Sequence, residues 1–493
     1  MKKTFLILAI LAPMFMWAQT EGDMLDFSTV NYQGTAKSAA MGNAMGAVGS
    51  DFSAIAINPA GLGLFRKATF TFTPEFSVNS TESNYKDNSG FDRAFKLQNN
   101  NIGLTWTQNF NDESLTSVSC AIGVNKLNNY KSNIYVNGNN PHTSLIDAYI
   151  DELYENGIDN DLLLEDYSPN NIFPLWNTYL LDFYADGSIG SVVPQGGLRQ
   201  EFGANKNGYM REFTFATGFN FNDKFFLGVA LDVPYFSKNT TYDYKETNLD
   251  VNDDFRHWSQ TEYLKNSGVG VNAKIGAIIY PARWLRLGAS FHTPSIYNVT
   301  ESWYTDTKGV FSSGSYYHES ETSTYDYIVT TPYRANASIA LIFGNFGMIT
   351  GDWEYVDYRT MHASSRDYNF NNFNNHLHDL YKESSNIRIG TEWRWQTLAF
   401  RAGYSINGSP FGFDKEDLKT TSYSCGLGFT HHRFTLDLAY VLSKRNNTYD
   451  LYSNYSLYPA YYTENNVFVA DETKVKETTN INQMVISFKL RLD

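Results

Sequence analysis

A histidine pair, a cluster of acids and a scatter of arginines are the side chains here with the chemistry to bind or react. His376-Leu377-His378 puts two imidazoles two residues apart, which could hold a metal ion or haem iron, but no third ligand is fixed beside them. Asp250, Asn252, Asp253 and Asp254 lack the full spacing of a calcium loop and read as solvated surface. Arg286, Arg334, Arg388, Arg394 and Arg401 say more, because each stands in a run that alternates polar and apolar residues. Such a guanidinium could meet a ligand carboxylate, or pair with acids such as Glu392 and Asp437. No Ser/His/Asp set can be placed on one rim, so the sequence is read as a non-enzyme with no metal and no cofactor.

The elements that carry these arginines are strands. In Arg283 to Phe291, Leu285, Leu287, Ala289 and Phe291 share one face, while Arg286, Gly288 and Ser290 share the other. Arg334, Asn336 and Ser338 oppose Ala335, Ala337 and Ile339. Arg388, Gly390, Glu392 and Arg394 oppose Ile387, Ile389 and Trp393, and Arg401, Gly403 and Ser405 oppose Phe400, Ala402 and Tyr404. A one-residue slip would turn every charged row into lipid, where an arginine near the midplane costs about 2–4 kcal/mol. The charged face therefore lines a lumen. The wall must close, because hydrocarbon satisfies no free sheet edge.

Fourteen such runs are predicted: 68–80, 97–110, 115–136, 207–221, 225–246, 264–280, 284–305, 324–343, 346–360, 385–395, 398–407, 419–430, 433–443 and 478–492. Links after even-numbered strands are tight and those after odd-numbered strands long and polar, the pattern of short periplasmic turns and long extracellular loops. The fold class is an all-β, 14-stranded antiparallel transmembrane β-barrel. Trp284, Trp303, Trp393 and Trp395 are assigned to the aromatic girdles. Strand parity turns both cysteines, Cys120 and Cys425, toward lipid as free thiols.

Residues 1–18 carry Lys2 and Lys3, an apolar run and a small-residue end, which reads as a secretory signal. The 52 acidic residues outnumber the 38 basic ones, which argues against nucleic acid as a partner. The expected location is the bacterial outer membrane, with its lipid and lipopolysaccharide as surroundings and a monomer as the working unit.

A fourteen-stranded lumen leaks unless filled. Residues 19–67 are available as a plug ahead of the barrel at 68–493. From Gly34 to Gly63, 17 of 30 residues are Gly, Ala or Ser and only Lys37 and Asp51 are charged, a composition suited to close backbone packing. The segment turns at Asn58-Pro59. Ile57-Asn58-Pro59-Ala60-Gly61-Leu62, placed just before the first strand, resembles the Asn-Pro-Ala signature in the hatch of outer-membrane hydrophobic-compound transporters of the FadL and TodX type. Arg286-Leu287-Gly288, Ile349 to Trp353 and Arg388 to Trp393 leading to Arg401-Ala402-Gly403-Tyr404 support the likeness. Two loops, the one after the third strand and that from Asn446 to Glu477, are larger and more polar than the resemblance leads one to expect.

The resemblance implies passive transport of long-chain fatty acids or aromatic hydrocarbons, with capture at extracellular loops and release by hatch movement or lateral opening. It also implies an irregularity in the third strand, for which Gly123, Asn125, Asn128 and Asn129 are the candidates. Ligand contacts are expected from Ile55, Ile57, Leu62, Leu64 and Phe65 of the hatch and from the lumen arginines Arg286, Arg334, Arg388 and Arg401. The large loop 137–206 holds ten acids between Asn137 and Leu198 with no lysine or arginine among them. Two helical patterns, Ile146 to Leu153 and Leu175 to Phe183, could present Trp176, Tyr179, Leu180 and Phe183 as a capture groove. The alternatives are a surface receptor whose loops bind haem or host molecules above an anchoring barrel, and an open porin.

Overall fold

The computed structural model describes residues 21–110, 114–158, 160–412, 418–452 and 473–492. The secretory signal and much of the 446–477 loop lie outside the described residues.

Fourteen antiparallel strands form the wall, and each predicted run holds one. They are β1 (Ala68–Tyr85), β2 (Asn88–Asn109), β3 (Ser117–Asn129 continued by Ser132–Asn140), β4 (Leu198–Phe221) and β5 (Phe225–Asn248). Next come β6 (Phe255–Ala282), β7 (Leu285–His292 and Ile296–Phe311), β8 (Ser323–Thr330 and Arg334–Phe343) and β9 (Gly347–Asp357). The circuit ends with β10 (Glu383–Trp395), β11 (Leu398–Asn407), β12 (Thr420–His431), β13 (Phe434–Asp450) and β14 (Lys474–Leu492). β14 pairs back onto β1 from Ala68↔Leu492 to Tyr85↔Val475, so the sheet closes. No helix among the described residues is long and apolar enough to cross a membrane.

The parity holds around the wall. Leu287, Phe291, Ile339, Ile387, Ile389 and Phe400 are exposed outward, while Arg334, Arg388 and Arg401 are buried inward. Both cysteines are free, with Cys425 exposed and Cys120 half-exposed. Trp284, Trp393 and Trp395 are exposed on the outside. Trp303 corrects the girdle assignment: it shares the inward phase of Glu301 and Thr305 and packs on Leu264 and Tyr325.

Several odd-numbered links are shorter than expected, because their polar residues continue the strands. β1 and β2 run up to a tight turn at Lys86-Asp87, with Lys86 at φ 53°. Thr, Ser and Asn in this stretch alternate as regularly as apolar residues do, and their ladder satisfies the backbone without an apolar face.

Residues 21–65 thread the lumen as a helix (Glu21–Ser28), a short helical turn (Ala36–Ala40) and two 3-10 turns (Phe52–Ala56 and Pro59–Leu64). The start of this segment lies beside the 358–382 loop, where Tyr381 Oη donates to Glu21 O at 2.8 Å. Its end packs among β3, β4 and β5, where Phe52, Ile55, Leu62 and Phe65 meet the small side chains Ala121, Ala216 and Ala230. The filled lumen departs from that of an open porin.

Wall glycines admit this close approach. A Cβ at Gly103 would stand 2.2 Å from the Phe52 ring, and one at Gly276 would stand 2.0 Å from Asn58 Oδ1. Gly218, Gly228 and Gly276 are cross-strand neighbours, so one level of the wall offers bare backbone to the plug. Overpacking of this kind costs about 1–3 kcal/mol, and removing a buried phenyl ring about 3–5 kcal/mol. Gly103→Ala and Phe52→Ala should each lower the unfolding midpoint in urea. The double variant should recover about 0.5–3 kcal/mol relative to additivity, a coupling that vanishes if the ring and the glycine do not touch.

Candidate functional site

Asn58 ties the plug to itself and to the wall. Its Oδ1 accepts from Ala60 N at 3.0 Å, starting the turn that Pro59 continues, and its Nδ2 donates to Gly46 O at 2.8 Å and Ala277 O at 3.2 Å. Asparagine is the residue that can cap and donate at once, which aspartate or serine at this position could not do with the same atoms. The preceding carbonyl, Ile57 O, accepts from Ser290 Oγ at 2.6 Å and lies 2.8 Å from His292 Nε2. A carbonyl only accepts, so Nε2 carries the hydrogen and Nδ1 is left to accept from Tyr32 Oη at 3.4 Å. His292 thus links two distant plug residues.

The lumen arginines brace this arrangement. Arg334 and Arg388 both reach Glu354, at 3.0 and 3.1 Å, and Arg388 also lies over the Tyr32 ring at 4.9 Å. A second guanidinium of the same kind, Arg401, holds Glu392 at 2.6 Å and Asp437 at 2.7 Å. Arg286 donates to Val48 O at 3.1 Å and stacks on Tyr280. The charges of Arg334, Arg388 and Arg401 are therefore matched within the protein. Removing one carboxylate from such a buried set costs about 3–5 kcal/mol, because it strands the remaining charge. Ile55, Ile57, Leu62 and Phe65 are buried against the wall, with Leu64 half-buried.

Farther along the plug, Met24 and Phe27 enter an apolar cluster with Met210, Phe236, Tyr297 and Val329. Phe27 stacks on Phe236 with centroids 4.4 Å apart. On the same helix Asp23 and Asp26 hold the buried Lys238 Nζ at 2.6 and 2.5 Å.

β3 leaves the regular wall beside this cluster. Its ladder with β2 ends at Asn101↔Asn125, and its register with β4 shifts between Lys126 and Asn128. Leu127 and Tyr130 turn inward into the cluster of Met24 and Phe27, and Asn31 N donates to Leu127 O at 2.8 Å. Asn128 Nδ2 donates to Thr29 O at 3.2 Å, so the plug itself pairs with the bent strand. Beyond Asn125, β3 continues pairing with β4 and bridges the plug at Gln33↔Lys126, and among the described residues no ladder pair joins it to β2. Side chains cross this seam instead: Lys96 Nζ to Asn129 Oδ1 at 3.0 Å, and Asn133 Nδ2 to Arg93 O at 3.3 Å. Gly123 still pairs with Gly103 below the seam, and Asn125 is the last rung.

The described residues of loop 141–197 fold into a cap. Helix Leu145–Glu155 starts in a capping box between Ser144 and Asp147. Its apolar face joins Leu164, Leu175, Leu180 and Ile189 in a core seated on Phe255 and Trp258 of β6. The expected groove is not lined as predicted. Leu180 is wholly buried in that core, Trp176 and Phe183 pack against it, and Tyr179 is 64% exposed. The first helical pattern forms as Leu145–Glu155, and its apolar face is spent on the cap's own core. The second, expected over Leu175 to Phe183, is instead a short helix Phe173–Asn177 that turns at Tyr179, φ 59°, into a strand Leu181–Phe183. Instead, a cavity of about 220 Å³ opens beneath the cap, lined by Leu145, Tyr149, Glu152, Tyr242, Glu262 and Tyr452 among others.

No family model matches the sequence, and no curated protein matches it. Solved structures do. A FadL homologue from Pseudomonas aeruginosa superposes with a TM-score of 0.56 at 11% identity, covering 94% of this chain and 100% of that one. The toluene transporter TodX of P. putida gives a TM-score of 0.55 at 11% identity, covering 94% and 99%. The fold is that of the FadL and TodX barrels. At this identity the likeness concerns the FadL/TodX-type fold, while the bonding of the plug, seam and cap above is this chain's own.

His376 and His378 lie exposed on helix Asn371–Leu380, with His376 Nε2 3.5 Å from Glu21 Oε1. What the sequence reading missed is the polar bonding of the plug and Glu152, whose side chain turns under the cap. Burial pushes the Glu152 carboxyl up from 4.5 to about 7, against a hydrogen bond from Tyr167 Oη at 3.1 Å. A raised folded-state pKa means that folding favours the protonated acid. That contribution to stability is complete below 4.5 and is lost as pH rises through about 7. Amide exchange across Leu145–Glu155, corrected for intrinsic pH dependence, should therefore show a looser cap above that pH. Glu152→Gln should remove the difference; an unchanged pH response in the variant would assign it to another group.

Proposed function

We propose that this protein resides in the bacterial outer membrane and passes small hydrophobic molecules inward by diffusion. The observation that carries the reading is the coincidence of three features at one place. The lumen is blocked by the chain's own amino-terminal segment, the block places apolar side chains where a ligand would sit, and the wall beside it lacks a backbone ladder. TodX is described as a toluene transporter, which agrees with this reading.

A molecule leaving water for an apolar site gains about 0.8 kcal/mol per methylene buried. It would be captured under the cap, then compete with Met24 and Phe27 for the cluster around Phe236 and Tyr297. Displacing that helix loosens the contacts at Thr29, Asn31 and Asn128, which hold β3 bent inward. Release then proceeds sideways through the seam between β2 and β3, where side chains rather than backbone bonds must part. Asn58, Pro59, Ala60 and Gly61 form a hinge region anchored to the wall, and the plug at 19–67 acts as one unit. Nothing in this route needs chemistry on the ligand, and the reading is of a non-enzyme acting as a monomer.

Locking the seam tests the route. In a background with Cys120 and Cys425 replaced by alanine, Arg93→Cys and Asn133→Cys should form a disulfide on oxidation. Uptake of a hydrophobic probe such as toluene should then fall to that of cells lacking the protein and return on reduction. Undiminished uptake with the disulfide formed would rule out lateral release here.

A further inference from the structure

The cavity beneath the cap is lined by two acids and no base. Glu152 projects into it from the cap helix, and Glu262 enters from β6 directly across from Tyr242 of β5. Glu152 accepts from Tyr167; no hydrogen bond or ion pair to Glu262 is formed by a described residue. Four of the other nine lining residues are tyrosines, Tyr149, Tyr242, Tyr244 and Tyr452. Three of their hydroxyls are already engaged: Tyr149 on Gln260, Tyr244 on Glu246, and Tyr452 with Thr143 and Asn140. Those three hydroxyls are therefore already spent within the protein. Below it, Lys238 is held by Asp23 and Asp26, and Lys206 lies near the same two acids.

Aromatic faces with carboxylates beside them attract organic cations, through the ring quadrupole and through charge-assisted hydrogen bonds. A ligand carboxylate would meet like groups there, and no base lines the cavity to receive it. We infer that the cap cavity selects hydrophobic amines: a compact apolar body, aromatic or short-chain, that carries a protonated nitrogen, with fatty-acid anions disfavoured. A cavity of about 150 Å³ accepts a benzene ring. The 220 Å³ here leaves room for a ring with a short ammonium-bearing tail. This inference rests on the transport reading and narrows its substrate class.

Three probes with one skeleton separate the terms: phenylbutylammonium, phenylbutanol and phenylbutanoate. They are titrated into the full-length protein in nanodiscs, with empty nanodiscs as the partition control. The ammonium should bind roughly tenfold more tightly than the alcohol, and the carboxylate most weakly. Glu152→Gln together with Glu262→Gln should bring ammonium and alcohol to equal affinity while alcohol binding persists. Carboxylate binding as tight as ammonium binding in the wild-type protein overturns the inference, whatever the variants do. So does an ammonium preference that survives in the double variant. If the three probes bind alike, charge selection fails and hydrophobic capture stands; if none binds, both fail.

Discussion

Hydrocarbon accepts no hydrogen bonds, and that single property of the surrounding solvent dictates the rest of this molecule. Every backbone N–H and C=O that faces lipid must find its partner in a neighbouring strand, so the sheet closes from β14 back to β1. Closure at fourteen strands sets an interior too wide for side chains alone to fill. The chain answers with its own amino-terminal segment, and the segment's polar groups must then be satisfied in turn. Asn58 does so from within the plug, and Ser290, His292 and Arg286 bond plug backbone from wall positions the alternation had already turned inward. Charges that could not be left in lipid become cross-braces, as with Glu354 between Arg334 and Arg388.

The seam between β2 and β3 stands out against that rule. Other interruptions are repaired locally. Where β7 and β8 break near Pro294 and Pro332, Thr331 N donates to Ser295 O at 3.0 Å and Ser295 N to Thr331 Oγ1 at 2.9 Å. Beyond Asn125 the repair is made by Lys96, Asn129 and Asn133 side chains and by the plug's pairing with the bent strand. Side-chain bridges rearrange without dismantling a ladder, so this part of the wall is the cheapest to open. In the proposed transport route, the plug is the element whose movement frees it.

Much of this was legible in the sequence because alternation and the lipid cost of arginine are both local rules. Parity alone placed Arg334, Arg388, Arg401 and both cysteines on their observed faces. Trp303 escaped because its assignment used position along the strand, whereas its phase with Glu301 and Thr305 was the better guide. The upper halves of β1 and β2 escaped because a polar ladder carries no hydropathy signal. Long-range partners were beyond reach: nothing in the spacing of Gly103 and Phe52, or of Asn58 and Ala277, reports that they touch. The cap failed for a related reason, since periodicity reveals an apolar face but not which surface it will cover.

The account stands or falls on the amino-terminal segment being what seals the lumen. Single-protein conductance in a planar bilayer measures this directly, comparing the intact chain with a variant lacking residues 21–65. The intact protein should hold the membrane closed to ions, and the shortened one should give steady, open-channel currents. Equal currents from the two, whether both conduct or both block, would contradict it.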